Sequence, residues 1–100
     1  MRLKAGYGFK DARFKVINAL LAGDFQHEAR NDIDVKNLLA TGEITPHQLA
    51  ALLRHSNGAQ HRCSPHHVDR SIIVHVIITK GWYVKFFFLE PDTWFISVHR

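Results

Sequence analysis

Along residues 11–21, Ala12, Val16 and Leu20 recur at intervals of four, with Phe14, Ile17 and Leu21 beside them. That spacing gathers apolar side chains on one side of an α-helix, and Gly23 is placed to end it. A second helix is expected through Ile33, Val35, Leu38 and Leu39, capped by Asn31 or Asp32 and stopped by Gly42. The sharpest local signal is Thr45-Pro46-His47-Gln48. Thr45 can accept from the third backbone N–H of the helix, Pro46 suits its first position, and Gln48 can reach back to close a capping box. The resulting helix runs through Leu49, Leu52 and Leu53 and stops near Ser56-Asn57-Gly58.

Beyond Pro65 the period changes from helical to extended. SIIVHVIIT, WYVKFFFL and WFISVHR are rich in β-branched and aromatic residues and read as three strands. Thr79-Lys80-Gly81 is expected as a three-residue hairpin loop, and Glu90-Pro91-Asp92-Thr93 as the second turn. With a three-residue loop, Ile72, Val74, Val76 and Ile78 share the core face with Trp82, Val84, Phe86 and Phe88, completed by Trp94, Ile96 and Val98. The opposite face then carries Ile73, His75 and Ile77, then Tyr83, Lys85 and Phe87, then Phe95, Ser97 and His99, with His75 across from Lys85. Helices followed by a meander predict an α+β fold: two to three N-terminal helices packed on a C-terminal antiparallel β-meander of at least three strands.

The 100 residues, 46% of them hydrophobic, suit one domain spanning residues 1–100. A net charge of +4 and a pI near 9.6 favour an acidic partner such as RNA, DNA or an acidic protein. Arg2, Lys4, Lys10, Arg13 and Lys15 against Asp11 make a basic N-terminal patch, which reads equally well as a solvated face. The single cysteine, Cys63, forbids an internal disulfide and points to a reducing compartment, hence the cytoplasm. Neither an export signal nor a membrane span is expected. No Walker A loop, dinucleotide fingerprint, HExxH or GxSxG occurs.

Eight histidines are many for this length, and His61, His66, His67, His75 and His99 all follow the third helix. Imidazole gains and loses its proton near neutral pH, which suits acid–base chemistry. Cutting RNA without metal needs a base for the 2′-hydroxyl, an acid for the departing 5′-oxygen and fixed positive charge at phosphorus. His75 and His99 can exchange protons, Arg62 and Lys85 can hold the phosphate, and Tyr83 can donate a hydrogen bond or stack on a base. Further RNA contacts are expected from His61, His66, His67 and Arg70, and from Lys10 and Arg13. Each residue also has an ordinary reading: a hydrogen-bonded strand histidine, a solubilising lysine, a tyrosine covering an apolar patch. His66 and His67 followed by Asp69 invite a metal, but adjacent histidines on a strand point apart and no second ligand cluster is evident, so neither metal nor cofactor is expected. Cys63 is expected to be a small buried or half-buried thiol.

From Ala51 onward, ALLRHSNGAQHRC, SPHHVDRSIIVHVII, WYVKFFF and FISVHR resemble the MqsR-type mRNA interferase toxins, fold relatives of the RelE-like ribonucleases. The likeness covers about half the chain. It implies a toxin of a type II toxin–antitoxin system, a metal-independent endoribonuclease that cuts mRNA, on the ribosome or free, and is held inactive by a cognate antitoxin protein. In that family a basic residue after the central helix, a Tyr-x-Lys strand and a basic residue after the final Ser-x are associated with cleavage. Arg62, Tyr83, Lys85 and His99 fall at those places, with Arg62 and His99 where the family has lysines, and Val74 where it has a strand glutamine. The alternative is a non-catalytic antitoxin, immunity or regulatory module that binds protein through a basic face.

Overall fold

The computed structural model describes residues 8–29 and 33–100. Arg2, Lys4 and the expected cap at Asn31 or Asp32 lie outside them. The fold is α+β, with helices α1 (Phe9–Ala22), α2 (Ile33–Lys36) and α3 (Pro46–Arg54) and strands β1 (Phe25–His27), β2 (His61–Pro65), β3 (Ile73–Thr79), β4 (Trp82–Leu89) and β5 (Asp92–His99). The five strands form one sheet in the order β1-β5-β4-β3-β2.

Helix α1 buries Ala12, Val16, Ile17, Ala19 and Leu20, as the spacing predicts, while Phe14 is 71% exposed. Gly23 ends it at φ 81°, a left-handed conformation open to glycine at little cost, with its N–H donating to the Ala19 carbonyl at 2.9 Å. The Thr45 capping box forms: the Gln48 N–H donates to Thr45 Oγ1 at 3.1 Å and the Thr45 N–H to Gln48 Oε1 at 2.9 Å. The middle helix is shorter than expected. After one turn Asn37 bridges to Val98, and the Leu38 N–H donates to the Val98 carbonyl at 2.7 Å. Asn37 is fully buried, pairing its Nδ2 with His27 Nδ1 and accepting the Ala40 N–H on Oδ1. These bonds satisfy the backbone and side chain without a helix, which outweighs the modest helical preference of the segment.

Two strands escape the periodicity, so the helices do not all precede the sheet. β1 has three residues and pairs parallel with β5, making the sheet mixed rather than a simple meander. β2, HRCSP, lacks apolar alternation and lies at an edge, where proline and polar residues are tolerated because one side of the strand has no ladder to feed.

The β3–β4 loop has two residues, not three. Thr79 pairs with Trp82, and Lys80 and Gly81 both take positive φ, 53° and 80°, as a type I′ turn requires. The one-residue difference turns β3 over: Ile73, His75, Ile77 and Thr79 share a face with Trp82, Val84 and Phe86. In β5, Lys85 pairs with Ser97 but Phe86 pairs with Phe95, leaving Ile96 in a bulge. Phe95 therefore points inward, and Trp94 and Ile96 outward, the reverse of simple alternation. The turn before β5 is Glu90-Pro91, joined by a cis peptide bond.

The main core lies between this inner face and α1 and α3. Leu20, Leu49, Leu53, Ile77, Val84, Phe86, Phe95 and Val98 are among its buried members. A smaller apolar cluster, Val74, Phe87 and Ile96 with Ile72 and Trp94 against it, covers one end of the outer face. Among the described residues no helix is long and apolar enough to cross a membrane.

Candidate functional site

Strand register sorts the outer face into rows. Ser64, Val74, Phe87 and Trp94 form the apolar row, Arg62, Val76, Lys85 and Ser97 the next, and Ile78, Tyr83 and His99 the third. Four of the residues expected to meet RNA therefore share one surface, two positions apart along each strand. Tyr83 and His99 are direct cross-strand partners with stacked rings, 5.1 Å between centroids and 20° between planes. Lys85 lies two residues from Tyr83 on the same strand, about 7 Å along it, and Arg62 is in the same row as Lys85 two strands across, about 10 Å from it. Long cationic side chains at these spacings can converge on one phosphate.

Beside this row is a hollow of about 360 Å³ walled by Lys85, His66, His67, Glu28, Val74 and Ile96. From the segment that follows β2, residues 66–72, His66 and His67 supply one wall, and His66 meets the Phe87 ring edge to face at 5.3 Å. His66 holds that segment in place. Its Nδ1 accepts the Val68 N–H at 3.0 Å, so Nε2 carries the hydrogen and donates to Glu28 Oε2 at 2.8 Å. Both ring nitrogens are engaged within the protein, so His66 clamps the segment against Glu28. The His67 ring does not point away but stacks on it at 4.8 Å, because these residues sit in a bend after β2. His67 and Arg70 are exposed on this segment. Asp69 accepts from the Ser71 hydroxyl and N–H, and these bonds hold its carboxyl below the usual range.

Other expected residues lie elsewhere. His75 is 1% exposed on the inner face, paired with Cys63 and Phe86, and not across from Lys85. The two-residue loop puts it there. It cannot share protons with His99 on the other surface. Burial, and then the neighbouring His61, push its pKa down to about 4. His61 also faces inward, and burial lowers it too. Lys10 and Arg13 belong to α1, on the far side of the sheet. Arg13 is engaged there, donating to the Ser56 carbonyl at 3.0 Å with its guanidinium 5.0 Å from the centre of the Phe9 ring. A larger hollow, about 460 Å³, lies between α1 and Pro91 and is lined by none of the expected site residues.

Sequence reasoning missed two groupings. Glu28 reaches His66 from 38 residues away, a pairing no local pattern signals. Cys63 is exposed, not buried, and stands with His61 and His75 in a cluster whose donor atoms lie within 4.8 Å of one another. His61-x-Cys63 on one strand was the available hint, legible only once β2 is recognised.

No protein-family model, curated protein or solved structure matches this chain.

Proposed function

We propose that the outer sheet face binds RNA and cleaves it without metal, and that the protein is an endoribonuclease toxin restrained by a cognate antitoxin protein. One observation carries the reading: Arg62, Lys85, Tyr83 and His99 occupy adjoining rows of one sheet face. Two fixed cations, a phenol and an imidazole are what in-line attack on phosphorus demands. With His75 inside the core, the second proton carrier falls to Tyr83.

In this scheme His99 takes the 2′-hydroxyl proton as that oxygen bonds to phosphorus. Arg62 and Lys85 neutralise the charge gathering on the non-bridging oxygens. The bond from phosphorus to the 5′-oxygen breaks, and the Tyr83 hydroxyl supplies the departing oxygen with its proton. The products are a 2′,3′-cyclic phosphate and a 5′-hydroxyl. The hollow beside Lys85 takes an adjacent nucleotide, and an antitoxin covering the same rows inhibits by exclusion. A RelE-like fold is part of this proposal, and the antiparallel run β2-β3-β4-β5 backed by α1 and α3 supports it.

The test incubates purified protein with several RNAs and no added divalent ion, then maps the product ends. Cyclic phosphate ends are expected, with Tyr83→Phe, Lys85→Ala and His99→Ala each slowing cleavage by about 10²-fold or more while the denaturation midpoint holds. Intact RNAs throughout, or cleavage indifferent to all three substitutions, sinks the proposal. Harmless expression together with tight stoichiometric binding to an acidic protein points instead to a non-catalytic module.

A further inference from the structure

His61 and Cys63 alternate along edge strand β2, so both face inward, and Cys63 is paired across the ladder with His75. Their positions bring two imidazoles and a thiol together on the side of the sheet away from the proposed RNA surface. His61 Nε2 and His75 Nδ1 face each other at 2.9 Å, with the rings stacked at 5.2 Å between centroids. His75 is held by Phe86 and Phe88, and His61 lies against Phe9, so these two donors are already oriented. Cys63 is exposed and can turn to meet them.

We propose that His61, Cys63 and His75 bind a borderline transition-metal ion, zinc foremost, through two imidazoles and a thiolate, with a fourth position open at the solvent-facing rim. The donor set selects the metal class: thiolate and imidazole suit zinc and its neighbours, whereas magnesium and calcium want oxygen ligands. The distances suit it as well. Tetrahedral zinc with ordinary bonds to nitrogen and sulfur separates its ligand atoms by roughly 3.3–3.7 Å. The cluster, spread over no more than 4.8 Å, needs a movement of only about an ångström.

The thiol releases its proton to solvent. The hydrogen now shared between the imidazoles moves to the far nitrogen of the ring that carries it, so both facing lone pairs are free for the ion. One proton leaves per ion bound. The bound ion ties the polar edge strand β2 to β3, a strand pair whose β2 side contributes little buried surface of its own.

The experiment titrates chelator-stripped, reduced, full-length protein with Co²⁺, then displaces it with Zn²⁺. A single equivalent of tetrahedral cobalt with a thiolate-to-metal charge-transfer band is expected, bleached by zinc. Cys63→Ser, at an exposed position, keeps the fold, checked by circular dichroism, but loses that band and weakens zinc binding by more than about tenfold. His61→Gln weakens it similarly. The proposal is overturned if folded wild-type protein gives no thiolate band. It is equally overturned if Cys63→Ser holds zinc as tightly as wild type, since other histidines would then be the binders.

Discussion

His75 makes the stability of the metal-free protein depend on mild acid. Its imidazole is buried against Phe86 and Phe88, and its pKa falls from 6.5 to about 4. Above pH 6.5 the ring is neutral in both folded and unfolded chains and contributes no pH dependence. Between 6.5 and 4 the unfolded chain takes up a proton that the folded chain refuses, so stability falls as pH falls; below 4 the contribution levels off. A gap of that width corresponds to about 3 kcal/mol at 1.36 kcal/mol per decade. Against a total of about 5–15 kcal/mol for a domain, that is a large share. Urea unfolding of chelator-treated protein at several pH values from 7.5 to 4, for wild type and His75→Gln, measures the difference. The variant starts less stable because it leaves the aromatic stack incomplete, but its curve is flatter by about 3 kcal/mol across the window. His27 and His61, also lowered by burial, remain in both proteins and largely cancel. Parallel loss of stability in the two proteins, or an imidazole resonance of His75 titrating near 6.5 in the folded state, refutes the burial and with it the β3 register.

Three further outcomes follow from the packing and turns. Lys80→Asn should raise stability by about 0.5–1 kcal/mol in thermal unfolding, because asparagine tolerates the left-handed conformation that Lys80 holds beside Gly81 at φ 53°. Phe95→Ala removes a fully buried ring packed against Phe25 and Phe86, and denaturant titration should register a loss of about 3–5 kcal/mol. Glu28→Ala leaves His66 Nε2 without its partner, costing about 1–2 kcal/mol locally. Hydrogen exchange should then accelerate at the Val68 amide and along residues 66–72 while the β4 amides stay protected; uniform protection would show that Glu28 does not hold the segment.

What was readable in the chain is what short-range chemistry decides. The four-residue recurrence of α1, the Thr45 box and the β-branched runs of β3, β4 and β5 are local signals, and each element formed. β1 and β2 were illegible because their reasons are distant: three residues pairing parallel with β5, and a polar pentapeptide tolerated only at an edge. The grouping of Tyr83, Lys85 and His99 depends only on alternation in β4 and its pairing with the end of β5, beyond the Ile96 bulge, so an error in the β3–β4 loop leaves it intact. His75 depends wholly on that loop. A three-residue turn would spare Lys80 its left-handed backbone and present His75 to the outer face. The two-residue turn puts the imidazole in the core next to Cys63, and so takes it off the proposed RNA surface and into the donor cluster proposed to hold a metal. Which face of the sheet this histidine occupies is therefore decided by a single residue of loop length, through the period of two that governs every strand.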